Sequence, residues 1–188
     1  MKVWIRYDWH ERAWDVVSGE RLEYVELEAA GFSVGLECIG NLYLVSSYSE
    51  RTTNFSVTDN KDEAVQSFKE ELAYLVYETP GVDDETEQIK AEQALEKHGF
   101  LDDMKNAYRI LEDNGGRVLM ASYIRTVSGS FSGTASHDEL GNLLKSKYPS
   151  FNPELVRLAL SALWHKNYIR PDVEDNASYY SITKKLDF

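Results

Sequence analysis

Arg157, Ser161 and His165 recur every four residues, so they share one face if their segment is a helix. Arginine can donate a forked pair of hydrogen bonds to guanine. Serine can contact a base or a phosphate, so such a face is compatible with a DNA major groove. Lys166 adjoins it, and Arg170, Lys184 and Lys185 follow as cations able to meet phosphates. Glu154 lies in the first turn of the same segment and opposes this chemistry, although a carboxylate there can accept from cytosine. The plain alternative is a solvated helix face in a protein that binds another protein.

Other chemistry is thinly represented. Asp8, His10 and Glu11 are possible metal ligands, and strand spacing would put Asp8 and His10 on one face. A zinc site needs three or four ligands, and His98, His137 and the acids of 83–87 are too scattered to complete one. An exposed strand end is the ordinary reading, and a hydrolase or nuclease centred there is a distant alternative. Cys38 shares a strand face with Phe32, Val34 and Leu36 and reads as a small buried hydrophobe. The run Gly129-Ser130-Phe131-Ser132-Gly133 has Phe at its centre and fails the nucleophile-elbow pattern. Neither a phosphate loop nor a dinucleotide fingerprint is present. The expectation is a protein that is not an enzyme and carries no metal or cofactor.

The elements that would position these residues are legible at the C-terminal end. Ser136-His137-Asp138-Glu139 is a capping box, followed by Leu140, Leu143 and Leu144. Asn152-Pro153 opens a second helix, with a cap residue before a proline at the first helical position. That helix carries Leu155, Val156, Leu158, Ala159, Leu160, Ala162 and Leu163 and ends near Asn167. Two strands then follow, Tyr168-Ile169-Arg170 and Tyr179-Tyr180-Ser181-Ile182-Thr183, separated by a turn-rich stretch from Pro171 to Ala177. Three acids, Asp172, Glu174 and Asp175, sit in that stretch, where a DNA-entering tip would be basic or small.

Helix, helix, β-hairpin in this order resembles a winged helix, and the closing Tyr179 to Leu186 resembles that family's second wing strand. The resemblance covers about residues 101–188. It implies DNA binding in most cases and protein binding in others.

Upstream, residues 1–58 read as short antiparallel strands. Val25 and Leu27 alternate with Tyr24, Glu26 and Glu28. Phe32 to Cys38 alternate likewise, Gly40-Asn41 is a hairpin turn, Leu42 to Ser46 is its return strand, and Phe55-Ser56-Val57 is one more. Residues 59–79 switch to helical spacing. Asn60 precedes Glu63 at capping distance, and Ala64, Val65, Phe68, Leu72, Leu75 and Val76 form one apolar stripe that should cover the sheet. About residues 32–78, with Asp62-Glu63-Ala64 opening the helix, resemble the sheet-and-helix unit of HicB-type antitoxins but lack that family's loop between strand and helix. Residues 83–98 predict a polar helix ending at Gly99, and 102–113 predict another with Met104, Tyr108, Ile110 and Leu111 inward. Residues 118–127 fit either helix or strand.

The expected fold class is therefore α+β. An acidic antiparallel β-meander with a covering helix spans 1–80, an acidic connecting helix 81–100, and a winged-helix-like domain 101–188. The 188 residues carry a formal net charge of −12. Residues 1–100 hold 21 Asp or Glu against 9 Lys or Arg, and residues 101–188 hold 11 against 11, so the whole excess lies in the first part. Phosphate neutralisation drives DNA affinity, so DNA would be repelled by the first part and tolerated by the second. The acidic part, with Trp4, Trp9 and Trp14, could engage a basic protein or mimic DNA. No apolar run reaches the roughly 18 residues of a membrane helix, and the N-terminus turns polar too soon for a signal peptide. A single cysteine fits a reducing, cytoplasmic setting.

Two function classes remain. In one, a regulatory protein binds DNA through Arg157, Ser161, His165, Lys166, Arg170, Lys184 and Lys185, while its acidic half binds a protein partner or self-associates as a homodimer. In the other, a protein-interaction adaptor or inhibitor, such as a phage-type counter-defence or DNA-mimicking factor, acts through its acidic surface.

Overall fold

A computed structural model of the chain describes residues 5–8, 13–16, 19–49, 53–79, 84–125, 131–134, 144–174 and 177–188, with backbone only at 5–8, 13–16, 117–125, 131–134, 173–174 and 177–179. It is mixed α+β and divides into two compact units, Met1–Gly99 and Phe100–Phe188.

The first unit is built on a four-stranded antiparallel sheet in the order β3 (Glu20–Leu27), β4 (Phe32–Ile39), β5 (Leu42–Ser49), β6 (Thr53–Thr58). A separate hairpin pairs β1 (Ile5–Asp8) with β2 (Ala13–Val16). Register explains the core. Val25 faces Val34, Val34 faces Ser47, and Leu36 faces Val45, so these side chains share one face at the strand period of two. All are buried, whereas Tyr24 and Glu26 on the opposite face are exposed. Gly31 and Gly40 turn the chain in the left-handed region that favours glycine.

Helix α1 (Lys61–Glu78) covers that apolar face, packing on β4, β5 and β6 through Ala64, Phe68 and Leu72, all fully buried. Its start is set as the sequence predicts, with a refinement. The Asn60 side chain accepts from the Asp62 and Glu63 amides. Glu63, however, accepts from the Thr58 hydroxyl, which in turn accepts from the Asn60 amide, so the capping box closes through Thr58. Helix α2 (Glu85–Lys97) is capped by Asp84 and stopped at Gly99. Expected as a connector, it packs instead on β3 and α1 within the first unit.

The second unit begins with α3 (Phe100–Asp113), which buries Phe100, Met104, Ala107, Tyr108, Ile110 and Leu111 along one stripe. Residues 117–125 form strand β7 (Arg117–Arg125); of the expected loop of 128–133, residues 131–133 belong to β8 (Phe131–Thr134) and 128–130 lie outside the described residues. Residues 144–147 are helical, and the capping box at Ser136 lies outside the described residues. Tyr148 donates to Asp113, and Lys147 donates to Asn114, tying this segment to the end of α3. Helix α4 (Pro153–His165) follows, with Asn152 as cap and Pro153 at the first turn. It ends at Asn167, whose φ of 60° is a left-handed stop that asparagine tolerates. Strands β9 (Ile169–Glu174) and β10 (Ala177–Ile182) close the unit in the sheet order β8-β7-β10-β9. The strand β9 runs longer than expected, because Pro171 sits on an edge strand, where its missing N–H costs no ladder bond.

Candidate nucleic-acid interface

Helix α4 was expected to present Arg157, Ser161, His165 and Lys166 as an outer surface. Burial redistributes them. Leu155, Val156, Leu158, Ala159, Leu160, Ser161, Ala162 and Leu163 are all buried. At about 100° per residue these positions occupy nearly every direction around the axis, leaving one narrow sector. Arg157 lies in that sector. Ser161 does not: it is only 7% exposed, so the middle member of the expected face is withdrawn from solvent.

Arg157 is itself committed. Its Nε donates to Glu154 Oε2 at 3.1 Å and its Nη2 donates to Glu154 Oε1, a forked pair one helical turn apart. Its side chain is 20% exposed. The carboxylate that looked like an obstacle to DNA is therefore the arginine's partner, and a phosphate would have to displace it.

Trp164 is the residue that sequence reasoning missed. It is 45% exposed at the end of an otherwise apolar helix. Seven residues turn the chain through about 700°, so Trp164 falls within about 20° of Arg157, in the one open sector. That spacing was the available signal, obscured because an apolar residue in an apolar run reads as core. His165 is exposed beside it, its ring centroid 5.6 Å away. Lys166 is half-buried at the helix end.

The cations downstream divide in the same way. Arg170 is well exposed at 66%, with Asp172 at 3.5 Å. Lys184 lies over the Tyr168 ring, its Nζ 4.0 Å from the centroid, and its carbonyl accepts from the Tyr108 hydroxyl at 3.0 Å. The Tyr168 hydroxyl donates to Asp187, and Phe188 meets the same ring edge-on. The hydrogen bond to Asp187, burial and the Asp187 charge push the tyrosine's pKa up. Lys184 thus straps the C-terminal segment onto Tyr168. Lys185 is exposed. The side chains of residues 173–176, where the sequence predicts a wing tip, lie outside the described residues.

Among the described residues no three His, Cys, Asp or Glu side chains converge as a metal site, and the Asp8, His10 and Glu11 side chains lie outside them. Cys38, expected to be buried, is half-buried and donates weakly to the Gly40 carbonyl. No described helix is long and apolar enough to cross a membrane.

In the first unit some acids bond within the fold, and helix α2 is tied to β3 and the turn after it. Glu23 accepts from Lys97 and faces His98 Nε2 at 3.2 Å. Lys90 donates to the Glu26 carbonyl at 3.0 Å, and the Ala29 amide donates to Glu87 at 2.8 Å. Beside β6, a recess of about 160 Å³ is lined by Val45, Ser47, Asn54, Phe55, Ser56, Ser67, Glu70 and Glu71. No protein-family model, curated protein or solved structure matches the chain.

Proposed function

We propose that the protein is a non-enzymatic adaptor or inhibitor that acts by binding another protein. The observation that carries this reading is the state of α4. Ser161 is buried and Arg157 is clamped to Glu154, while the open sector offers Trp164. Tryptophan supplies much of the energy at protein interfaces, and it carries no charge for a phosphate. The acid excess of residues 1–100 favours a basic partner. The helical turn at 144–147, α4 and the β9–β10 hairpin follow one another as helix, helix, hairpin, which supports a winged-helix-like scaffold for the second unit.

A second reading is DNA binding by the hairpin side, favoured by the exposure of His165, Arg170 and Lys185. A fluorescence-polarisation titration against random duplex DNA at low and physiological salt separates the two. Protein binding predicts no saturable binding to the duplex even at low salt. Micromolar binding that weakens steeply with salt, and that Arg170→Ala and Lys185→Ala reduce, would establish the DNA reading in its place.

A further inference from the structure

Two helices cover the sheet of the first unit, and they are attached unequally. Helix α1 packs on β4, β5 and β6, and it buries Ala64, Phe68, Leu72 and Ala73 completely. Helix α2 packs on β3 and α1. Its buried residues are two alanines and one leucine, Ala91, Ala94 and Leu95. The rest of its hold is polar. At its start, Glu87 accepts from the Ala29 amide in the turn after β3. In its middle, Lys90 donates to the Glu26 carbonyl, and Glu92 accepts from the Tyr77 hydroxyl of α1. At its end, Lys97 and His98 meet Glu23, and the His98 ring stands edge-on to Phe68.

Such a fastening is specific but shallow. Lys97 is largely exposed. A hydrogen bond or ion pair that water can replace adds little net stability. Glu87 also brings a cost. Its Oε1 takes the Ala29 amide, but its Oε2 is shielded from solvent and has no hydrogen-bond partner among the described residues. A carboxylate oxygen in that state has lost its hydration without compensation, and undocking the helix restores it. What α2 covers is apolar. Glu23, Val25 and Leu27 alternate along one face of β3. Lys97 and His98 hold the first of them, and the other two are buried.

We propose that α2 is a lid. It opens from β3 as one unit while α1 and the sheet stay folded, and it uncovers Val25 and Leu27. Segments with few buried apolar contacts and water-accessible hydrogen bonds open at a free energy below that of global unfolding. Helix α2 has both features, and the unpartnered Glu87 oxygen favours the open state further. Closing returns the helix to one place, because its polar contacts are spread from Glu87 to His98 and each has a distinct partner or position. The lid stands whichever partner the protein binds.

The test is native-state hydrogen exchange on the full chain, read amide by amide by NMR, with denaturant kept below the unfolding transition. The hydrogen-bonded amides of α2 should exchange together, with protection at least about tenfold lower than in the centre of α1. Their exchange should also depend less on denaturant, because opening the lid exposes less surface than unfolding. Two variants separate local from global opening, and the unfolding transition of each confirms that it folds. Lys90→Ala loosens the closed lid, and α2 exchange should rise about fivefold. Ala64→Gly weakens the start of α1, away from Phe68 and Tyr77 where α2 meets it. Exchange in α1 should then rise about fivefold or more, and exchange in α2 should stay unchanged, since the open state keeps α1 intact. Equal protection and equal denaturant dependence in the two helices overturn the proposal. So does an Ala64→Gly variant that speeds both helices alike. Exchange that is fast at the ends of α2 and slow at its centre means fraying, and it overturns the lid as well.

Discussion

Helices α2 and α4 are of equal length and are held by opposite means. Helix α2 buries only Ala91, Ala94 and Leu95. It is fixed by polar contacts that reach other elements: Lys97 and His98 to Glu23, Lys90 to the Glu26 carbonyl, Glu87 to the Ala29 amide, and Glu92 to the Tyr77 hydroxyl. Helix α4 buries eight of its thirteen residues, and its Glu154–Arg157 ion pair lies within the helix itself. Apolar burial is strong and non-directional, whereas hydrogen bonds contribute less net stability but fix a helix in one register. A helix enclosed on nearly all sides has little surface left for a ligand. That is why the face with the most suggestive spacing in the sequence turns out to be mostly interior.

The contrast is broken most directly at Leu158, which has no exposure. Leu158→Ala should lower the unfolding free energy by about 2–5 kcal/mol, measured from denaturant midpoints. For α2 the corresponding probe is Tyr77→Phe, on the neighbouring helix α1. The Tyr77 hydroxyl donates to Glu92 at 3.1 Å, and burial first, then the Glu92 charge, pushes its pKa upward. Its loss should cost about 1–2 kcal/mol. A Tyr77→Phe cost equal to that of Leu158→Ala would erase the distinction between the two helices.

Much of this architecture was legible in the sequence. The Asn60 and Asn152 caps, the Gly99 stop and the strand alternation of 32–38 are local signals, and the elements form where those signals stand. Residues 118–127 were ambiguous, because a largely apolar run has no clear period to read. Pairing with β10 makes the segment a strand. Likewise, α2 looked like a connector because its few apolar residues conceal how many side chains bond across to β3. Such contacts join residues about 60 to 75 apart, such as Ala29 with Glu87 and Glu23 with His98, and no local pattern reports them. The candidate site was legible in residue type but not in exposure. Arg157 and Glu154 could be paired by their spacing, yet the burial of Ser161 follows from packing around the whole of α4.

The smallest expected effect is the most discriminating, because it responds to pH. Burial alone would raise the Glu23 pKa. The hydrogen bonds and charges of Lys97 and His98 outweigh it and hold the carboxyl below its ordinary 4.5. A depressed folded-state value means that the unfolded chain binds the proton more readily. The stabilisation is therefore complete above about pH 4.5 and fades as pH falls through the lower, folded value. Lys97 is largely exposed, so the pair should contribute at most about 1 kcal/mol near neutrality. Glu23→Gln should lower stability by that amount at pH 7, and the gap to the parent should narrow as the pH drops below 4.5. Leu158→Ala should keep a constant gap over the same range, since it alters no titrating group. A Glu23→Gln deficit that persists undiminished in acid would mean that Glu23 holds α2 by packing rather than by charge.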